Sequence, residues 1–181
     1  MTTTLVPPDL PERVDALLRE VPDFPEPGVL FRDITPLLAD PQVFAQTVAA
    51  IAATPAGPVD LVVGIESRGF LLAAPVATAL GVGLALVRKA GKLPGPTLAQ
   101  TYTLEYGTAT VEVHPFTVPE GSRVLVVDDV LATGGTAAAS LQLLRRCGAT
   151  VAQLTFLIEL VGLGGRAALP DVPVTALLAL P

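Results

Sequence analysis

Two neighbouring carboxylates, Asp128 and Asp129, stand at the end of a continuously apolar run, residues 124–127, and Ala132, Thr133, Gly134, Gly135 and Thr136 follow close behind. The valine-rich run suits a strand covered on both faces, and residues 137–146 read as a helix. A turn between strand and helix sits at the carboxyl edge of a sheet. There the threonine hydroxyls and backbone N–H groups can face one anion, helped by the positive end of the helix and the missing Cβ of the glycines. Carboxylates cannot bind a phosphate, but beside a phosphate cradle they suit sugar hydroxyls. A ribose phosphate is the implied ligand.

A Gly-Gly turn by itself can be no more than a tight strand-to-helix connection. Two successive aspartates before it and a threonine on each side argue for a site. The ATP-binding P-loop is the nearest competing device, but it ends in Gly-Lys-Ser/Thr, and no lysine lies near this turn.

Other stretches offer positive charge for an anion. The apolar residues 59–65 lead into Glu66-Ser67-Arg68-Gly69, with a helix over residues 70–80 and Gly81 at its C-terminal cap. This is a second strand-turn-helix unit, and Arg68 stands where a second anionic group could be held, although a surface arginine in a loop is the competing reading. The chain has only two lysines, Lys89 and Lys92, and both flank the same Gly/Pro-rich arm next to Arg88. In a net-acidic chain that uses lysine nowhere else, this cluster looks placed for an anion, on the same or a neighbouring subunit. Residues 101–106 and 108–114 alternate about Gly107 as a hairpin, with Glu105 and Tyr106 near its tip; the pattern alone gives Glu105 no role.

The remaining elements follow in chain order. Residues 9–21 carry Val14, Leu17, Leu18 and Val21 at helical spacing, with Asp9 as N-cap. Residues 21–38 hold four prolines and one glycine in eighteen positions, which forbids regular structure through the first half. Such a stiff segment either wraps a surface or presents Phe31 and Arg32 to a ligand. Asp40 and Pro41 open a helix that buries Val43, Phe44, Thr47, Val48 and Ile51. Residues 151–160 and 174–180 read as strands, with a short turn or helix at residues 163–166. At least four strands interleaved with helices define an α/β fold with a largely parallel, twisted sheet flanked by helices. The turns at residues 66–69, 88–92 and 128–136 should gather on its carboxyl edge.

With 181 residues, 51% of them hydrophobic, the chain supports one sizeable core and is expected to form a single domain, residues 1–181. A net charge of −6 argues against nucleic acid and anionic membranes as partners. The lone Cys147 leaves no disulfide to form within the chain, there is no leader-like N-terminus, and no run of eighteen apolar residues occurs. A cytoplasmic location is expected. One histidine and one cysteine exclude a His/Cys metal cluster, so a metal would be a hard ion beside phosphate, with Mg2+ the natural candidate.

The run Val-Val-Asp-Asp-Val-Leu-Ala-Thr-Gly-Gly-Thr resembles the motif by which type I phosphoribosyltransferases bind 5-phosphoribosyl 1-diphosphate (PRPP). The stretches at residues 22–38, 64–70, 87–95 and 102–107 are similar to those of adenine phosphoribosyltransferases. The resemblance runs from about Val14 to Leu178, nearly the whole chain.

This resemblance implies transfer of the 5-phosphoribosyl group from PRPP to adenine, giving AMP and pyrophosphate with Mg2+ in purine salvage. Another base such as xanthine, guanine or hypoxanthine, or a regulator that binds PRPP without turnover, is the alternative. By position, Ala132, Thr133, Gly134, Gly135 and Thr136 would hold the 5′-phosphate and Asp128 and Asp129 the ribose. Arg68, with the Glu66-Ser67 turn, would bind pyrophosphate, and the family often has a cis peptide there. Arg88, Lys89 and Lys92 would serve the partner's site in a homodimer. Leu30, Phe31 and Arg32, in a hood segment within residues 1–38, and Leu160 would hold adenine. Glu105, with Tyr106 beside it, would assist proton transfer from a mobile hairpin within residues 98–116. Mg2+ would be held mainly by PRPP and water near Asp128 and Asp129, with no direct protein ligand assigned.

Overall fold

The computed structural model describes residues 6–103 and 107–181. The chain divides into two compact units, Met1–Ala50 and Ile51–Pro181.

In the first unit, helix α1 (Leu10–Ala16) buries Leu10 and Val14. It stops short of Val21, which the apolar spacing placed on the helix. Strand β1 (Arg19–Pro22) instead pairs antiparallel with β2 (Leu30–Asp33), setting Val21 opposite Phe31. Pro22 accounts for the difference, because a residue before proline is pushed out of the helical region toward extended backbone. The proline-rich stretch expected to be irregular is therefore the connection of a small hairpin. Its turn is closed by Gly28 N–H, which donates to Asp23 Oδ1 at 2.7 Å, and by Phe24 N–H, which donates to the Val29 carbonyl. Phe24 packs edge-on against Phe31 with ring centroids 5.1 Å apart. A short helix, α2 (Thr35–Ala39), follows, with Asp33 accepting from both the backbone and the hydroxyl of Thr35. Helix α3 (Pro41–Ala52) begins as the Asp-Pro pair requires: Asp40 Oδ1 accepts from the N–H groups of Gln42 and Val43 at 2.9 and 2.8 Å.

The second unit is a seven-stranded sheet. Strand β3 (Leu61–Ile65) is buried at every residue, as expected of a strand covered on both faces. It leads into α4 (Gly69–Leu80), closed by Gly81 in the left-handed region at φ 69°. Then come β4 (Gly83–Lys89) and the hairpin strands β5 (Leu98–Thr103) and β6 (Thr108–Val113). The long β7 (Arg123–Leu131), α5 (Gly135–Arg146), β8 (Thr150–Leu160) and β9 (Val174–Leu180) complete the unit, with 3-10 turns at Val161–Leu163 and Gly165–Ala168.

The strand order is β5-β6-β4-β3-β7-β8-β9. From β4 to β9 neighbouring strands run parallel, and the hairpin joins antiparallel at the β4 edge. From β3 the chain crosses to β4 on one side, and from β7 to β8 on the other. The two adjacent central strands thus diverge, leaving a crevice at their carboxyl ends where open α/β sheets bind ligands. Val63, Ile65, Val124, Val126, Leu154 and Phe156 of the sheet pack with Leu143 and Leu144 of α5 in one core.

Candidate active site

Strand β7 extends further than its apolar run suggested. Asp128 and Asp129 are within it, opposite or next to the β8 residues that pair through Leu131↔Glu159. The two carboxylates stay close enough for the charge of one to act on the other. Asp128 lines a hollow of about 90 Å³ together with Leu131, Ala132, Thr133, Gly134, Gly135 and Thr136. Asp129, only 6% exposed, meets Arg68, whose Nη2 lies 2.8 Å from Asp129 Oδ2. Burial, then the adjacent Asp129 charge, push the Asp128 carboxyl well above the usual carboxylate range. Its Oδ1 accepts from the Asp129 N–H at 2.9 Å.

Gly134, at φ 80°, precedes α5, which starts two residues earlier than residue 137 because Gly135 and Thr136 already form its first turn. The five cradle residues thus sit together on the positive end of a helix of twelve residues. Beneath the cradle, a Cβ on Gly165 would come within 2.2 Å of the Ala132 carbonyl oxygen, and one on Gly134 within 2.4 Å of the Gly165 carbonyl. Backbone therefore packs directly on backbone. That contact is fixed by Arg166, which donates from Nε and Nη2 to the Glu159 carboxylate at 2.7–2.9 Å and from Nη1 to the Val174 carbonyl. Glu159 is the only ionisable residue in the apolar run 150–160, a signal that a partner must exist. Its partner could not be read from the sequence.

The turn after β3 has a cis Glu66–Ser67 peptide and places Arg68 at the start of α4. Gly69 allows α4 to lie against β7: a Cβ there would stand 2.7 Å from Asp128 Oδ1. Glu66 gathers the basic cluster. Its Oε1 accepts from Lys92 Nζ at 2.7 Å, and its Oε2 from Arg88 Nε at 3.1 Å and the Lys89 N–H at 3.0 Å. Burial alone would raise the Glu66 carboxyl, but the hydrogen bonds from Lys92, Lys89 and Arg88 outweigh it and hold it below its usual range. Glu66 thus holds the side chains of Arg88 and Lys92 and the backbone of Lys89 together. Ser67 is exposed on the same turn.

Within the first unit, Arg32 pairs with Glu20 across β1 and β2. Val21, Phe24, Phe31 and Asp33 line a hollow of about 300 Å³, while Leu30 is 43% exposed. Leu160 ends β8 opposite Leu180. Glu105 and Tyr106 lie outside the described residues. Tyr102, which drew no attention in the sequence, reaches the cradle: its Oη is 2.8 Å from Thr136 Oγ1.

The central crevice of the sheet thus has a helix start on one side and a guanidinium-bearing turn on the other, a geometry that can hold anionic groups. The model of the phosphoribosyl transferase domain matches residues 42–167. The adenine phosphoribosyltransferase of Acidothermus cellulolyticus is 57% identical over 173 residues, 95% of this chain and 98% of that protein. Among solved structures, adenine phosphoribosyltransferase from Rhodothermus marinus superposes with a TM-score of 0.91 at 48% identity, covering 94% of this chain and 98% of that one. The Saccharomyces cerevisiae enzyme, complexed with adenine and an imino-altritol bisphosphate, gives 0.88 at 40% identity, covering 93% and 98%. The chain belongs to the adenine phosphoribosyltransferase family.

Proposed function

We propose that the protein transfers the 5-phosphoribosyl group of PRPP to adenine, forming AMP and releasing pyrophosphate in purine salvage. The observation that carries this reading is the pairing of two anion sites at the diverging strands: the cradle after β7 and, beside Asp129, the Arg68 turn after β3. One substrate with a 5′-phosphate at one end and a diphosphate at the other matches that arrangement.

Thr133, Gly134, Gly135 and Thr136 hold the 5′-phosphate, Asp128 and Asp129 accept from the ribose hydroxyls, and Ser67 and Arg68 bind pyrophosphate. A purine nitrogen forms its bond to ribose C1 as the bond from C1 to the diphosphate oxygen breaks, and pyrophosphate leaves with the electron pair. Negative charge grows on the departing group, where Arg68 and, from a second copy of the chain, Arg88, Lys89 and Lys92 stabilise it. The imidazole proton of adenine is taken up with the help of Glu105, beside Tyr106. The oxygen-only donors Asp128 and Asp129 suit a hard cation, and no cluster of three or more metal-binding side chains occurs among the described residues. These carboxylates would stand beside Mg2+ brought in with PRPP, which when bound would supply positive charge to the diphosphate. Leu30, Phe31 and Arg32 supply the base-binding hood.

The protein acts as a homodimer in this reading. Leu71 of α4 and Leu84 of β4 are 49% and 38% exposed, and β4 pairs with β6 only at Arg88 and Lys89. This open apolar face is where a second copy would seat, bringing Arg88, Lys89 and Lys92 to the neighbouring site. No helix among the described residues is long and apolar enough to cross a membrane, and a cytoplasmic setting is in keeping with the lone Cys147.

The test is a panel of adenine, guanine, hypoxanthine, xanthine and orotate, each with PRPP and Mg2+. AMP from adenine at the highest rate is expected. Turnover of another base instead would move the specificity, and PRPP binding without any turnover would make the protein a regulator.

A further inference from the structure

Tyr102 is a half-buried residue of β5 whose hydroxyl lies 2.8 Å from Thr136 Oγ1. Its ring covers Gly135, where a Cβ would stand 3.3 Å from Tyr102 Cδ2. The contact is held by more than one side chain. At the other end of α5, Arg146 Nη1 donates to the Ala99 carbonyl at 2.6 Å, so β5 is fastened to both ends of that helix. Tyr102 itself sits in register opposite Ala109 of β6.

A hydroxyl has one hydrogen to donate and two lone pairs to accept with. Either oxygen of the pair could be the donor, and the two orientations differ in consequence. If Thr136 donates to Tyr102, its hydrogen is turned away from the cradle. If Tyr102 donates, Thr136 keeps its own hydrogen for an anion at the start of α5. An anion in the cradle selects the second orientation, and the chain Tyr102 to Thr136 to phosphate oxygen strengthens along its length.

We propose that Tyr102 is a positioning residue for the phosphate end of the substrate, acting through the Thr136 hydroxyl. This rests on the reading that the cradle holds the 5′-phosphate. β5 leads within three residues to Glu105, so the same strand that orients the phosphate donor precedes the acid-base candidate in the chain.

Calorimetric titration of the whole protein with AMP, and with adenine as a ligand lacking phosphate, tests the proposal on Tyr102→Phe, Thr136→Val and the double variant. Phenylalanine keeps the ring over Gly135 and removes only the hydroxyl. AMP affinity should fall by about 3- to 10-fold in Tyr102→Phe, the range of one neutral hydrogen bond. Adenine affinity should stay within about twofold, which also reports that the variant is folded. The double variant should bind AMP no more weakly than Thr136→Val alone. Wild-type AMP affinity in Tyr102→Phe, or losses that simply multiply in the double variant, would overturn the role of Tyr102 while leaving the cradle intact. Unchanged AMP binding in Thr136→Val would overturn the cradle reading itself, and the proposal with it.

Discussion

Arg68 Nη2 lies 2.8 Å from Asp129 Oδ2, joining the turn after β3 to strand β7 across the crevice where the chain connections diverge. Asp129 is nearly buried and stands next to a second carboxylate, so the guanidinium relieves a repulsion that the sequence builds in. Removing it in Arg68→Ala leaves a buried carboxylate without this partner and takes away the cation proposed for pyrophosphate. The KM for PRPP should rise by about tenfold or more, as for a lost charge-assisted hydrogen bond, and Tm should fall. Steady-state kinetics with varied PRPP, beside a thermal melt, checks both.

Asp128 offers the opposite trade. Burial and the Asp129 charge raise its pKa. A carboxyl with a raised folded-state pKa contributes stability below its unfolded pKa, and that contribution is lost as pH rises through the folded value. At neutral pH the native state therefore works against an unfavourable ionisation. Asp128→Asn keeps an oxygen to accept the Asp129 N–H and removes the charge. Tm at pH 8 should rise by about 2–4 °C, while turnover falls at least about tenfold if Asp128 holds the ribose as proposed. A melt and an AMP assay on one preparation decide it, and a lower Tm would contradict the account of Asp128.

Glu66 behaves conversely, because its folded-state pKa is depressed below the ordinary value of 4.5. Its contribution to stability is in full force above the unfolded pKa and is lost as pH falls through the folded one. Glu66→Gln should be less stable than wild type at about pH 6, and the gap in Tm should close as pH falls through the acid range. Arg88 and Lys92 lose their anchor in the same variant, so the KM for PRPP should rise by about 3- to 10-fold at neutral pH.

Gly165 provides a purely steric test. An alanine Cβ there would meet the Ala132 carbonyl at 2.2 Å and Leu131 Cδ1 at 2.9 Å, so the floor of the cradle must move. AMP affinity should drop by about tenfold or more in Gly165→Ala, since a displacement near 1 Å is costly in a preorganised site. Arg166→Lys, which keeps the charge but loses the fork on Glu159, should fall between that variant and wild type.

The strand-to-helix turn from Asp128 to Thr136 was legible in the sequence because its residues are contiguous, whereas its floor at Gly165 was not. The second turn and the terminal strand 174–180 were legible for the same reason. Val21 was misplaced on a helix because apolar spacing outweighed the effect of Pro22, and β1–β2 pairing depends on residues about ten positions apart. Glu66 gave no sign that it would collect three donors from β4 and the arm beyond it. Tyr102 with Thr136, and Glu159 with Arg166, are products of tertiary packing. Only the isolated charge of Glu159 in an apolar strand hinted at either.

Incubating the protein with adenine, PRPP and Mg2+ while following AMP and pyrophosphate together tests the central claim most directly. The two products should appear in equal amounts and only when adenine is present. Pyrophosphate released without AMP, or neither product at any protein concentration, would contradict it.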